Sequence, residues 1–318
     1  MNITVIGSGR WGTCIAWYLD KLGHSVTLYG KEDSESMQAF IAQRKNDYVT
    51  FSDTMMLSCE KDSVYKADVI IISIDAQGLE NLCHELEFSK LENKIYVLCM
   101  KGIENSTTRR LSEIMEQNSH PTSKTAVWIG PGHAQEFYKG IPNCMVIDSK
   151  HEDVKKFLIE EFSGGSIRFY YGADLIGNEI GAAAKNVIGI AAGMLDGLGL
   201  TSLKGALMSR GAREIARLIK SAGGNEMSAY GLCHLGDYQA TVFSEYSHNR
   251  AFGESFIKGE KFSFLAEGYY TAPALIKMAA KYDVELPICN AVYEVLYNGI
   301  KPEIALGKLF ERSIKKEF

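Results

Sequence analysis

The stretch Gly177–Leu200 (GNEIGAAAKNVIGIAAGMLDGLGL) sets Gly177, Gly181, Lys185, Gly189, Gly193 and Gly197 four residues apart. On a helix these positions share one slowly drifting stripe. Each interior glycine costs a helix about 0.5–1 kcal/mol against alanine, so such a stripe requires close approach of backbone or ligand in return. Lys185 is the only charged side chain on it. Held among small and apolar neighbours, a lysine ammonium is desolvated, and its pKa falls toward the range in which an amine moves protons near neutral pH. That chemistry makes Lys185 a candidate general acid/base. The competing reading is a helix that packs by its small residues while Lys185 snorkels to solvent. A membrane helix fits less well, because Glu179, Lys185 and Asp196 interrupt the apolar run.

A second constellation lies at the start of the chain. Gly7-Ser8-Gly9-Arg10-Trp11-Gly12 follows an apolar run and opens a helical pattern. The first glycine allows a tight turn, the second lets backbone approach a pyrophosphate, and the third allows close helix–strand packing, with phosphates at the helix N-terminus. A dinucleotide is the expected ligand. The next strand ends Tyr29-Gly30-Lys31-Glu32-Asp33, so the first side chain available to the adenosine ribose is basic. This favours NADP, or use of both NAD and NADP, unless Lys31 is merely an exposed turn residue. Lys101 follows the run Ile95–Cys99, at the sheet edge where ligands of open α/β sheets bind, and a second cation there would further lower the pKa of Lys185. The turn Gly130-Pro131-Gly132-His133-Ala134-Gln135-Glu136 can present N–H groups to an anion. Leu235-Gly236-Asp237 and Ser247-His248-Asn249-Arg250 gather groups suited to a phosphate and hydroxyls, although Asp237 and Ser247 serve equally well as local caps.

These residues need a scaffold. The β-branched runs Ile3–Ile6, Ser25–Tyr29, Val69–Ile74, Ile95–Cys99, Ala126–Ile129, Met145–Ile147 and Ile167–Tyr171 alternate with helical patterns, which predicts a doubly wound, mostly parallel sheet of Rossmann-like α/β type. From Ala173 onward the pattern is helical, with amphipathic stretches near Leu203–Ala222, Thr271–Tyr282, Ile288–Tyr297 and Lys301–Glu311. A dinucleotide-binding domain over 1–172 and an all-α substrate and catalytic domain over 173–318 are expected. The chain has 318 residues, a net charge of −5 and no Lys/Arg block, so the footprint of a nucleic-acid binder is missing and a small-molecule substrate is the expected partner. The seven cysteines lack metal-ligand spacing and read as reduced core thiols, with no metal expected. A strand beginning at Asn2 leaves no room for a signal peptide. A cytoplasmic protein without membrane insertion is expected.

Taken together, GSGRWGT at Gly7–Thr13, KGIE at Lys101–Glu104, Gly130-Pro131 with Ala134 and Glu136, AKNVIGIAAGMLDGLG at Ala184–Gly199, LGD at Leu235–Asp237, SHNRAFG at Ser247–Gly253 and EGYYT at Glu267–Thr271 resemble the bacterial-type NAD(P)-dependent glycerol-3-phosphate dehydrogenase family. The resemblance implies reversible hydride transfer between NAD(P)H and dihydroxyacetone phosphate, giving sn-glycerol 3-phosphate for phospholipid synthesis. It makes Lys185 the acid/base and Lys101 a second lysine that polarises the C2 oxygen. Gly130, Asp237, Ser247, His248 and Asn249 fall where the family contacts substrate. Gly7, Gly9, Arg10, Trp11, Gly12, Lys31, Lys101, Ala134, Leu265 and Glu267 fall around the cofactor, and a homodimer is compatible with the resemblance.

Three positions depart from the family pattern. His248 stands where arginine is usual, Gly132 where a small hydroxyl residue is common, and Ile74-Asp75-Ala76-Gln77 replaces a proline-containing turn. An acid at Asp75 would repel a phosphate or bind another hydroxyl, and Arg250 is near enough in sequence to replace the missing arginine. A paralogous reductase of another phosphorylated ketone or β-hydroxy acid is therefore an alternative, as is a non-catalytic dinucleotide sensor, which the paired lysines argue against.

Overall fold

The computed structural model describes residues 1–314, 316 and 317. The chain divides into two compact units, Met1–Lys101 with Arg109–Glu179, and Gly102–Thr108 with Ile180–Phe318.

The first unit is built on β1 (Asn2–Ile6), β2 (Ser25–Tyr29), β3 (Met56–Ser58), β4 (Val69–Ile72), β5 (Ile95–Leu98), β6 (Lys124–Ile129), β7 (Asn143–Ser149) and β8 (Ile167–Tyr171). Its helices are α1 (Arg10–Lys21), α2 (Glu35–Gln43), α3 (Asp62–Tyr65), α4 (Leu79–Glu85), α5 (Leu111–Asn118), α6 (Ala134–Tyr138) and α7 (Glu152–Phe162). One sheet in the order β3-β2-β1-β4-β5-β6-β7-β8 results, parallel throughout except between β6 and β7. Strand order reverses between β1 and β4, which creates the switch point where open α/β sheets bind ligands. The run Val69–Ile72 shows no alternation because β4 is central and buried on both faces. Under α1 and α7, Trp128 packs edge-on to Tyr18 and Phe169 and tilted against Phe162, with ring centroids 5.1–6.0 Å apart.

The mostly parallel Rossmann-like sheet agrees with the pattern of apolar runs. β3 was not expected: it is a three-residue edge strand with Met56 exposed, too short for any alternation to register.

α8 (Leu175–Gly197) begins in the first unit and continues into the second. Its first turns are pinned by Glu179, which accepts hydrogen bonds from Arg110 Nη1 at 2.7 Å and from Ser112 N and Oγ at 2.9 and 2.6 Å. Burial pushes this carboxyl up, and Arg110 opposes the shift. The second unit adds α9 (Lys204–Ser221), α10 (His248–Lys258), α11 (Glu267–Lys281), α12 (Pro287–Asn298) and α13 (Pro302–Phe310). The glycine stripe of α8 is a contact surface. A Cβ at Gly193 would lie 1.9 Å from the Arg250 carbonyl oxygen, and one at Gly253 would lie 2.2 Å from that of Ile190. α8 and α10 therefore cross backbone to backbone, which compensates for the glycines' poor helix propensity. Among the described residues no helix is long and apolar enough to cross a membrane.

Candidate active site

The β1–α1 turn has the form a dinucleotide requires. Gly7 has φ +114°, and a Cβ there would sit 2.2 Å from the Ser73 carbonyl oxygen. A Cβ on Gly12 would sit 2.1 Å from Gly7 O, so α1 approaches the turn as only glycine allows. Gly9, by contrast, faces open space, leaving its backbone accessible to a ligand. Trp11 packs its ring against Phe137 at 5.7 Å and keeps Nε1 buried without a hydrogen-bond partner, an orphan donor beside the turn. The donor set and the glycine cradle fit a pyrophosphate. Ser8, within the turn, hydrogen-bonds Ser36 Oγ at 2.6 Å and Ser34 Oγ at 3.2 Å, tying the turn to the start of α2. Sequence reasoning missed these serines, whose only signal was the cap-like Ser34 before a helical run. Lys31 is exposed and lies 3.6 Å from Glu85. Arg10 opens α1 at the surface, and Ala134 opens α6 with its side chain buried.

At the carboxyl ends of β5 and β6 the structure brings two expected residues together. Lys101 Nζ donates to Gly130 O at 2.6 Å, and Gly130 has φ +145°. Gly132, at φ +130°, is glycine because a Cβ would lie 2.6 Å from the Phe137 ring.

In the second unit Lys185 is buried, with 7% of its surface exposed, so the snorkelling alternative does not hold. Nor is the amine surrounded by small and apolar groups alone. Its Nζ lies 2.9 Å from Asp237 Oδ2 and donates to Thr241 Oγ1 at 2.8 Å. Both partners come from tight turns, a 3₁₀ turn over Leu235–Asp237 and a π turn over Gln239–Phe243. A buried ammonium is tolerable when a carboxylate and a hydroxyl replace its water. Asp237 is thus the partner of the amine and not a local cap. An ammonium held this way can deliver a proton to an oxygen brought within hydrogen-bond reach and recover it in the reverse direction.

Behind this pair lies a group that the sequence did not disclose. His234 is completely buried; its Nδ1 bonds Gly181 O at 2.8 Å and its Nε2 bonds Tyr238 Oη at 2.7 Å. A carbonyl can only accept, so Nδ1 carries the proton and Nε2 accepts from the tyrosine. Burial pushes the imidazole down to about 4. The native state therefore resists a proton that the unfolded chain takes up near pH 6.5, and the stability linked to this group is present above 6.5 and lost as pH falls through 4. The destabilisation caused by His234→Asn should accordingly be greatest above pH 6.5 and shrink toward pH 4, as read from urea unfolding curves of both proteins.

The remaining residues divide between packing and site. Ser247 caps α10, accepting from Arg250 N at 3.3 Å, as its capping alternative required. Asn249 Nδ2 donates to Asn186 Oδ1 at 3.1 Å while its Oδ1 accepts from Gly268 N at 2.8 Å, bridging α8 and the start of α11. His248 Nδ1 meets Leu265 O at 3.2 Å, and the ring stacks on Phe264 at 4.9 Å. Ser247, His248, Asn249, Leu265 and Glu267, the first residue of α11, consequently form one neighbourhood. Arg250 does not replace the missing arginine. Its Nη1 is held by Asp196 at 2.7 Å and Glu254 at 3.0 Å, and its Nε by Ser244 O at 3.2 Å, so this guanidinium is committed to internal carboxylates. Asp75 is exposed at the head of a 3₁₀ turn.

A Rossmann-like unit with a glycine-rich phosphate turn, accompanied by a helical unit presenting a buried, ion-paired lysine, defines a nicotinamide-dependent dehydrogenase architecture. The model of the NAD-dependent glycerol-3-phosphate dehydrogenase N-terminus matches residues 2–155, and that of the C-terminus matches residues 174–307. The chain belongs to this NAD-dependent glycerol-3-phosphate dehydrogenase family. Glycerol-3-phosphate dehydrogenase [NAD(P)+] of Fusobacterium nucleatum is 32% identical over 330 residues, covering 100% of this chain and 98% of the relative. The enzyme of the same name from Chlorobium chlorochromatii is 33% identical over 332 residues, covering 100% and 99%. The crystal structure of glycerol-3-phosphate dehydrogenase from Coxiella burnetii superimposes with a TM-score of 0.91 at 28% identity, covering 98% of each chain.

Proposed function

We propose that this protein reduces dihydroxyacetone phosphate to sn-glycerol 3-phosphate with NADH or NADPH, reversibly, and that Lys185 is the proton carrier. The observation that carries the reading is the buried Lys185 ammonium between Asp237 and Thr241. Gly7, Gly9, Arg10, Trp11, Gly12, Lys31 and Ala134, with Leu265 and Glu267 as the family resemblance assigns them, would hold the dinucleotide, which when bound would supply or accept the hydride. In reduction Lys185 Nζ gives a proton to the C2 oxygen, and Asp237 and Thr241 keep the ammonium oriented for that transfer. In oxidation the neutral amine takes the proton of the C2 hydroxyl. Lys101 polarises the same oxygen, with Gly130 O fixing its Nζ. Ser247, His248 and Asn249 recognise the phosphate end through a hydroxyl, an imidazole and an amide, a weaker anion site than a bidentate guanidinium provides.

The domain roles follow the same division: nucleotide binding over 1–172 and proton transfer with substrate recognition over 173–318. We place the protein in the cytoplasm, as a homodimer acting on a small molecule and without a nucleic-acid partner.

The direct test mixes the purified protein with dihydroxyacetone phosphate and NADH or NADPH and follows loss of reduced-nicotinamide absorbance. Turnover with at least one cofactor is expected; none with either across pH 6–9 (roughly the span of an amine tuned for catalysis) overturns the substrate assignment. Lys101→Met should lower kcat/KM by about 10- to 100-fold, the worth of a charged hydrogen bond to substrate. Steady-state kinetics on Lys101→Met and wild type side by side check this expectation.

A further inference from the structure

Segment 234–241 meets α8 at two levels one helical turn apart. At the lower level His234 Nδ1 donates to Gly181 O, and at the upper level Asp237 and Thr241 hold Lys185, which lies four residues further along the same helix. Between these levels the backbone makes a 3₁₀ turn, with Asp237 N donating to His234 O at 3.0 Å and Gly236 N to Gly231 O at 2.9 Å. The backbone that carries the Asp237 carboxylate is therefore tied within one turn to the backbone that carries the His234 ring. The ring seats closely against α8 at Gly181, where an added Cβ would lie 3.0 Å from His234 Cβ, tighter than ordinary van der Waals contact.

Tyr238 closes the arrangement from the other side. Its hydroxyl donates to His234 Nε2 at 2.7 Å, the rings meet edge to face at 4.9 Å, and both side chains are fully buried. The hydroxyl also lies 3.3 Å from where a Cβ of Gly211 in α9 would stand. Two apolar side chains could fill this volume without the desolvation that burying an imidazole and a phenol entails. What the polar pair adds is direction, because a hydrogen bond fixes the rotation of a ring where apolar packing tolerates several.

We infer that His234 and Tyr238 are positioning residues for the proton-transfer step: they lock the turn that presents Asp237, and through it set where the Lys185 ammonium points. Both side chains are completely buried, so they act on the proton-transfer step only through Asp237. The inference rests on Lys185 being the proton carrier, and its test is arranged so that the two fail separately.

His234→Asn keeps a donor for Gly181 O and loses the acceptor for Tyr238; Tyr238→Phe removes the same bond from the other end. Each should lower kcat about tenfold while KM changes less than twofold, because the lost order concerns transition-state geometry and not ground-state binding. The double variant should be no worse than the poorer single one, since both abolish one shared bond. A second readout needs no substrate: competitive acetylation of amines by acetic anhydride in the full-length protein, with Lys185 quantified by peptide mass spectrometry. Its acetylation should be several-fold faster in either variant than in wild type, with surface lysines unchanged. If wild type shows no turnover yet Lys185 acetylation still responds, the assignment of the reaction fails and the positioning role stands. Overturning results are kcat and Lys185 labelling at wild-type values in both folded variants, or losses in the double variant that multiply. A fall in melting temperature with unchanged kcat and labelling would assign the pair to stability alone and overturn the inference as well.

Discussion

Lys185→Met should reduce kcat for dihydroxyacetone phosphate by roughly 10²–10⁴-fold, the usual worth of a positioned proton donor, while leaving dinucleotide affinity near the wild-type value. The second expectation follows from the glycine turn, which is built entirely within the first unit. Methionine retains the length and packing of the lysine stem but takes the ammonium away from the Asp237 carboxylate, which is 1% exposed. Removing one partner of a buried ion pair costs about 3–5 kcal/mol, so the single variant should also melt early. Pairing Lys185→Met with Asp237→Leu removes the buried carboxylate together with the amine and should recover most of that stability. It should recover none of the turnover. Steady-state kinetics, cofactor fluorescence titration and thermal melts on the three proteins separate the amine's chemistry from its contribution to the fold; substantial activity in Lys185→Met would remove it from the mechanism.

Gly193→Ala should be among the most destabilising single-methyl additions available in this chain. The new Cβ would lie 1.9 Å from Arg250 O and 2.8 Å from Glu254 N, and these are backbone atoms that no rotamer change can withdraw. Ordinary overpacking of a core costs about 1–3 kcal/mol, and here relief requires α8 and α10 to separate. Separation would stretch the Asn249–Asn186 bond and disturb the carboxylates around Arg250, so the loss should exceed ~3 kcal/mol. A melting temperature within a degree or two of wild type would contradict the backbone crossing, and circular dichroism thermal scans suffice to decide.

Much of this architecture was legible in the residues. The uninterrupted apolar run at Val69–Ile72 announced a central strand, and the glycine spacing announced that something approaches α8 closely. What approaches was not legible, because the partner backbone at Arg250 lies dozens of residues away in sequence and nothing local encodes the pairing. The same holds for the lysine site. Lys185 stood out as a lone charge on an apolar stripe, but its carboxylate neighbour arrives from a 3₁₀ turn whose sequence reads just as well as a cap. His234 and Tyr238 carried no signal at all, since a histidine and a tyrosine four residues apart outside a helix match no periodic template. Arg250 was misleading for a related reason: adjacency to His248 suggested a shared ligand, whereas the α10 geometry turns its guanidinium onto Asp196 and Glu254. β3 escaped because three residues at a sheet edge are fixed by their neighbour β2 and not by their own pattern.

The crowding along α8 also decides where this protein can be engineered for durability. Exchanging helical glycine for alanine ordinarily stabilises by about 0.4–1 kcal/mol through the unfolded chain, yet on the crossing helix that route is closed at Gly189, Gly193 and Gly197, where a Cβ would lie 1.9–2.7 Å from neighbouring atoms. Gly205, in the first turn of α9, and Gly307, within α13, have no atoms within 4 Å of a would-be Cβ and adopt no left-handed φ. A thermostabilised variant therefore starts from these two positions, whereas a library that randomises every glycine alike would also strike Gly12, Gly193 and Gly253, where neighbouring backbone leaves no room for a methyl group.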